Sequence, residues 1–263
     1  MEKRNNLREF LFTVWYSLVS KLDKNADVQF MNYGYTSPDL DVSLESNNED
    51  NRYPIQLYHQ IASKADLSGK DILEVGCGRG GGLAYLVESF SPRSAVGVDL
   101  NQNAVLFCTK YYKLPGLTFT RANAELLPFE DNSQDFVINV ESSHRYENMS
   151  SFMSEVRRVL RPGGQLLITD FRHNYRMPHL RKTFAESGLH QLLEEFITPM
   201  VVHALEKDDS RRRLLVRKLV PWYLHRTALN FAAVKGTRTF NNFAQEKMLY
   251  FNYVLQKRQY PDL

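Results

Sequence analysis

Ile72-Leu73-Glu74-Val75-Gly76-Cys77-Gly78-Arg79-Gly80-Gly81-Gly82 reads as a short apolar strand that runs straight into glycines, with a helix from Leu83 to Phe90 behind it. Glycines there let the backbone turn tightly and let a ligand come within contact of the main chain. Outward from this stretch the same alternation repeats. Ala95-Val96-Gly97-Val98 precedes a helix from Asn103 to Tyr112, Leu117-Thr118-Phe119 follows, and Phe136 to Val140 precedes a helix from Ser151 to Leu160. Arg161-Pro162-Gly163-Gly164 reads as a turn that stops that helix and launches Gln165 to Thr169. Strands alternating with helices argue for an α/β fold with a parallel sheet wound on both faces, in the order of the Rossmann-like folds.

The flanks read differently. Leu7 to Leu22 carries apolar residues on one helical face, which fits a helix docked on the core, or a lid or membrane-surface helix widened by Phe12 and Trp15. Residues 38–52 are polar and acidic and read as a surface loop, and helical spacing resumes from Arg52 to Lys64. Leu192 to Ile197 and Met248 to Leu255 read as a sixth and a seventh strand. Between them, breaks near Asp208-Asp209-Ser210, Pro221 and Gly236 divide Pro199 to Glu246 into three or four inserted helices. The organisation expected is an N-terminal helix and lid segment over 1–54, a core over 55–197, a helical insertion over 198–246 and a final core strand within 247–263.

Composition narrows the classes. The chain has 263 residues with net charge +3, too mild to argue nucleic-acid binding by itself. The charge is uneven, since residues 1–170 carry −5 and residues 171–263 carry +8. Two cysteines, Cys77 and Cys108, cannot make a disulfide framework or a four-ligand zinc site, and the seven histidines show no metal-ligand spacing. No run of eighteen apolar residues is present, and the first residues lack the apolar region of a signal peptide. The reading is a cytoplasmic protein that uses no metal.

The glycine loop gains weight from Asp99, which ends the next strand in Gly97-Val98-Asp99-Leu100, where an acid that binds ribose hydroxyls belongs. The choice is then between a dinucleotide and S-adenosylmethionine. The spacing Gly76-x-Gly78-x-Gly80 is not the dinucleotide pattern, and Glu74 would sit badly beside a pyrophosphate. An acid there suits a cationic or zwitterionic ligand, so S-adenosylmethionine is preferred.

Glu74-x-Gly76-x-Gly78-x-Gly80, Asp99, Ala122-Asn123-Ala124-Glu125-Leu126-Leu127-Pro128-Phe129 and Leu160-Arg161-Pro162-Gly163-Gly164 together resemble the class I S-adenosylmethionine-dependent methyltransferases over about residues 55–170. The resemblance implies that the loop, with Cys77 inside it, faces the methionine part, that Asp99 takes the ribose, that Leu100 belongs to the cofactor pocket, and that Asn123 and Ala124 border the adenine. Many relatives have Asp where this chain has Asn123. Asn32-Tyr33-Gly34-Tyr35, Leu57-Tyr58-His59, Asn139-Val140-Glu141-Ser142-Ser143-His144 and Ala228 to Lys257 look more specifically like the phthiotriol/phenolphthiotriol dimycocerosate methyltransferases, which O-methylate a long polyketide-derived lipid. The chain is also similar to natural-product and sugar O-methyltransferases. That likeness implies a seven-stranded sheet with an antiparallel last strand, a helical insertion over the substrate, and Tyr33 and Tyr35 over the cofactor.

An alcohol becomes a good nucleophile as its proton leaves, so a base is expected near the acceptor. His144 stands just past the fourth strand, on the rim where ligands of open α/β sheets bind, and Asp170 terminates the fifth strand on the same rim. Asp170 would orient His144 or a substrate hydroxyl, or act as a second base. Glu141 reads as a cofactor-pocket residue and His173 as a fallback base. Aromatic residues late in the chain, among them Trp222, Tyr223, Phe231, Phe240 and Phe243, fit an apolar substrate pocket. Arg211, Arg212 and Arg213, with Arg217 and Lys218, form a basic face that is either solvated or docks on an anionic membrane or acidic carrier protein. The leading expectation is O-methylation of an apolar small molecule, polyketide or lipid with His144 as general base. N- or C-methylation, RNA methylation and non-catalytic cofactor binding are the alternatives.

Overall fold

The computed structural model describes residues 28–40, 42–44 and 46–259, so the helix expected over Leu7 to Leu22 lies outside the described residues. The strands β1 (Asp71–Val75), β2 (Ser94–Asp99), β3 (Leu117–Arg121), β4 (Gln134–Val140), β5 (Leu160–His173), β6 (His190–Phe196) and β7 (Met248–Gln256) form one sheet in the order β3-β2-β1-β4-β5-β7-β6. β1 to β5 pair in parallel, and β7 runs antiparallel between β5 and β6. The helices α1 (Arg52–Ala62), α2 (Gly81–Phe90), α3 (Gln102–Tyr111), α4 (Met149–Val159) and α5 (Met177–Glu186) alternate with the strands.

Alternating side chains give the sheet two buried faces. Ile72, Ile138 and Leu167 pack with Leu57 and Ile61 of α1 and Leu83 and Leu86 of α2. Their neighbours Leu73, Val137 and Ile168 point the other way, onto Phe152 and Val156 of α4 and Leu180 and Phe184 of α5. Between β6 and β7 the chain inserts α6 (Thr198–Lys207), α7 (Asp209–Leu219), a single 3-10 turn at Trp222–Leu224, α8 (His225–Phe231) and α9 (Arg238–Ala244). The breaks fall at the aspartates, the proline and the glycine that the sequence marks.

Three expectations are corrected. Arg161 to Gly164 is not a turn before β5 but its irregular beginning. Leu160 already pairs with Gln134, the register then shifts, and Gly163 takes φ +84° while its N–H reaches Lys257 O at 2.8 Å. A Pro-Gly-Gly run can stay extended when a strand beyond it satisfies its backbone. Asp170 does not terminate β5, which continues to His173 against β7; only its pairing with β4 ends, at Val140 and Thr169. Within the acidic loop, Ser46–Asn51 form a 3-10 helix.

The strand order reverses direction between β1 and β4, which is where open α/β sheets leave a crevice beyond their carboxyl ends. Glu74 to Gly80, Asp99, Glu141 to His144 and Asp170 all come to that end.

Candidate active site

The loop after β1 is shaped by its neighbours. Gly76 adopts φ +79°, and a Cβ there would stand 1.9 Å from Ser142 Oγ, so only glycine fits. Gly80 starts α2 in the same left-handed region, at φ +76°. Asn139, fully buried, donates from Nδ2 to Val75 O and to Tyr146 Oη, both at 2.8 Å, and so ties the end of β1 to the loop after β4. Residues ahead of α1 lie over the glycine loop: Gln29 O accepts the Gly81 N–H at 3.3 Å, and Val28 O accepts Arg79 Nε at 2.8 Å. Cys77 is buried, and its hydrogen bond with Cys108, reinforced by burial, keeps its thiol protonated.

Glu74 is fully buried beneath this loop. Tyr58 Oη donates to its Oε1 at 2.7 Å, while Oε2 has no hydrogen-bond partner. Burial pushes Glu74 up to about 7, against the Tyr58 hydrogen bond and with help from the Asp99 charge. An unpartnered buried carboxylate oxygen is costly, and a cationic donor would satisfy it. Asp99 accepts Gly78 N at 3.0 Å and Asn101 N at 2.8 Å, one on each oxygen, which fixes its carboxylate at the mouth of the glycine loop.

Ala122 N donates to Asp99 O, which sets the Asn123-Ala124 turn beside the end of β2. Leu100 and Leu126, 63% and 75% exposed, are apolar surfaces at this rim. The Asn123 carbonyl oxygen already accepts the Glu125 N–H at 3.0 Å, so an adenine contact would have to use its second lone pair.

On the other side of the crevice, His144 lies in a single 3-10 turn, Ser143–Arg145. Its Nδ1 is 2.8 Å from Asp170 Oδ1, and its backbone N–H reaches Asp170 Oδ2 at 2.9 Å. Ser143 Oγ adds a hydrogen bond to Oδ2 at 2.6 Å, and Arg172 an ion pair at 3.2 Å. Burial works against the Asp170 carboxylate, but the His144 ring, the Arg172 guanidinium and the Ser143 hydroxyl hold its carboxyl well below the usual carboxylate range. Burial also lowers His144 below 6.5, outweighing the pull of Asp170 toward the charged form. Because an ionised Asp170 can only accept, the neutral imidazole carries its proton on Nδ1 and presents a lone pair on Nε2.

Glu141 closes the crevice between these halves. It adopts φ +45°, a conformation that costs a side-chain-bearing residue about 1–3 kcal/mol and needs support from its surroundings. Tyr33 N–H donates to its carboxylate at 2.5 Å, and Tyr250 Oη bonds to the same oxygen. Burial raises Glu141 to about 8, against those hydrogen bonds. The Tyr33 ring packs on Phe171 and Phe243, and Phe171 lies 4.4 Å from the His144 ring.

The structure therefore gathers Tyr33, Glu74, Gly76, Cys77, Gly78, Gly80, Asp99, Glu141, His144 and Asp170 at one end of the sheet. Other predicted residues stand apart. The Tyr35 hydroxyl turns to Ser37 rather than joining Tyr33. His173 stacks on Tyr175 at 5.4 Å. Trp222 and Tyr223 are exposed and line no buried pocket, whereas Phe240 and Phe243 are buried. The basic face is also corrected. Arg212 is buried, bonded to Asp208 Oδ2 at 2.9 Å and to Tyr33 O at 3.0 Å, while Arg211 pairs with Asp208 and Arg213 with Asp209. Sequence reasoning missed Tyr58, Ser143, Arg172 and Tyr250. Tyr58, Ser143 and Tyr250 lie in stretches that carry the resemblance but gain no role at the site from it, and Arg172 is signalled only by its place two residues past Asp170, on the same strand face.

A Methyltransferase domain family profile matches residues 73–168. The chain is 38% identical over 92% of its length, and 90% of the relative's, to a phthiotriol/phenolphthiotriol dimycocerosates methyltransferase of Mycobacterium tuberculosis. It is 42% identical over 78% of its length, and 76% of the relative's, to a fatty-acid O-methyltransferase of Mycolicibacterium smegmatis. A solved geranyl diphosphate C-methyltransferase from Streptomyces coelicolor, in complex with Mg2+, geranyl diphosphate and S-adenosyl-L-homocysteine, superposes with TM-score 0.67 at 16% identity. The match covers 92% of this chain and 97% of that one.

Proposed function

Because the chain belongs to the S-adenosylmethionine-dependent methyltransferases, we propose that it O-methylates a hydroxyl of an apolar, lipid-like acceptor, with His144 as the base. The crevice suits the cofactor. Glu74 lies beneath the glycine loop with Oε2 lacking a partner, and the Asp99 carboxylate stands beside it, so this end of the crevice favours a cationic donor over a pyrophosphate. Glu74 and the glycine loop would hold the methionine part, Asp99 the ribose, and Leu100, Asn123 and Ala124 the adenine. When bound, S-adenosylmethionine supplies an electrophilic methyl group on a positively charged sulfur.

The observation that carries the catalytic reading is the neutral, half-buried His144 whose Nδ1 is fixed on Asp170. Its Nε2 can take the acceptor's hydroxyl proton, while Asp170 stabilises the imidazolium that forms. Tyr33, Phe171 and Phe243 stand next to the ring as an apolar wall, which helps exclude water and position an apolar acceptor. The likeness to enzymes named for phthiotriol and fatty acid favours a lipid hydroxyl or carboxyl class over an amine. The test is incubation with labelled S-adenosylmethionine and lipid extracts, with mass spectrometry of the labelled product. A methyl group found on nitrogen or carbon overturns the reading.

Two results are expected of this assignment. Asp99→Ala should weaken adenosylhomocysteine binding about ten- to a hundredfold in calorimetry, the loss of charge-assisted hydrogen bonds; unchanged affinity removes Asp99 from the ribose contact. The pH profile of kcat/KM should fall on the acid side with unit slope, because protonated His144 cannot accept a proton. Since burial lowers its pKa, the midpoint of that acid limb should lie below 6.5. A midpoint above 6.5 contradicts the half-buried neutral imidazole.

A further inference from the structure

From Ser210 to Gln245 the chain contains no Asp or Glu and eight Lys or Arg. Arg211, Arg212 and Arg213 are satisfied by Asp208 and Asp209, so they form no outward basic face. The outward strip keeps only Arg217 and Lys218 of the face read from the sequence and adds apolar neighbours. Leu214, Arg217 and Lys218 are exposed at i, i+3 and i+4 on α7, which puts them on one helical face. The chain then turns at Pro221 into Trp222 and Tyr223, and Arg226 is exposed a turn later. Trp222 is 82% exposed, Tyr223 67% and Leu214 64%, and the two aromatic rings pack edge to face at 6.0 Å. Behind the strip, Val216 and Val220 of α7 pack on Ala228 of α8, so it is mounted on a small core of its own.

We propose that this strip seats the protein on an anionic lipid bilayer. Trp and Tyr partition to the headgroup level of membranes, where an apolar ring and a polar tip are both satisfied, and flanking Lys or Arg add attraction to anionic lipid. The strip combines these two features in Trp222, Tyr223, Arg217 and Arg226. It is also coupled to the site. α8 starts just past Trp222–Leu224 and ends at Phe231, about 10 Å on at 1.5 Å per residue, and Phe231 O accepts the Tyr33 hydroxyl at 3.1 Å. A bilayer under the strip would thus lie one short helix from the wall beside His144. The purpose of docking rests on the lipid-acceptor reading, but docking itself is measured without methyl transfer.

The experiment is vesicle flotation of the full chain with phosphatidylcholine alone and with added phosphatidylglycerol. Binding is expected to the anionic vesicles and to weaken with salt. Trp222→Ala with Tyr223→Ala should lower the apparent affinity about tenfold or more, and reversing Arg217 and Arg226 to Glu should abolish it. The chain has two tryptophans, so in a Trp15→Phe background the emission of Trp222 should shift to the blue on binding. Methylation of a short, water-soluble acceptor should be unchanged by Trp222→Ala.

No vesicle binding overturns the proposal, whatever acidic soluble protein the strip retains, and so does binding that survives loss of Trp222 and Tyr223. Vesicle binding with no methylated lipid supports docking and overturns the acceptor reading instead.

Discussion

His144→Ala is expected to lower kcat by about 10²- to 10⁴-fold, the usual contribution of a positioned general base, while adenosylhomocysteine affinity stays within about twofold. The split follows from position. His144 lies past β4 with its ring against Phe171, on the side of the crevice away from the Asp99 carboxylate and the Asn123 turn. Asp170→Asn makes the sharper control. An amide there could donate to Nδ1, which would leave the proton on Nε2 and point a donor, not a lone pair, at the acceptor. That variant should lose activity nearly as fully as His144→Ala, yet keep its fold and its cofactor. The double variant should be no worse than the worse single one, because the two act as a unit. If His144→Ala turns over at the rate of the natural chain, the proton leaves by another route and the base assignment is wrong.

The sheet and its cofactor end were legible because each relied on local signals. Apolar runs ending in glycine or aspartate mark parallel strands whose carboxyl ends carry ligands, and Glu74, Asp99 and His144 each follow such a run. What the sequence hid was long-range pairing. Tyr250 stands 109 positions from Glu141 yet bonds to its carboxylate, and nothing in Met248 to Leu255 distinguishes that tyrosine from its neighbours. Asp170 was found but misread as a strand end, since β5 outlasts its pairing with β4 only because β7 lies on its other side. Exposure was hidden too. Trp222 and Tyr223 belong to an aromatic-rich region, and composition cannot tell a ring that fills a pocket from one that faces outward.

The same limit produced the largest error, and it yields the prediction with the largest effect on stability. Three consecutive residues on a helix sweep about 200° at about 100° each, so a helix packed on a core cannot keep Arg211, Arg212 and Arg213 all solvated. Arg212 is the one that faces inward. Its Nε bonds to Asp208, Nη1 to Ala232 O at 3.1 Å, and Nη2 to Asn32 O at 3.2 Å and Tyr33 O at 3.0 Å. One guanidinium thus clasps the insertion to the segment whose Tyr33 N–H holds Glu141.

Arg212→Ala would leave a buried aspartate and three backbone carbonyls short of a donor. Removing one partner of a buried ion pair costs about 3–5 kcal/mol, and the value here should lie near 3 because Arg211 still grips Asp208 with two hydrogen bonds. At about 2–4 °C per kcal/mol for a domain approaching this size, the melting temperature should drop by about 6–12 °C. Arg212→Lys should recover only part of the loss, since an ammonium keeps the charge but cannot span acceptors on three segments with a planar fork. Loosening the clasp should also raise the KM of the acceptor more than the Kd of adenosylhomocysteine, because Tyr33 borders the His144 side and the glycine loop is held separately by Glu74, Asp99 and Asn139. Calorimetric melting with paired binding titrations decides it. A melting temperature within about 1 °C of the natural chain would mean that Arg212 carries none of this, and equal loosening of both ligands would mean that the insertion and the cofactor loop move as one body.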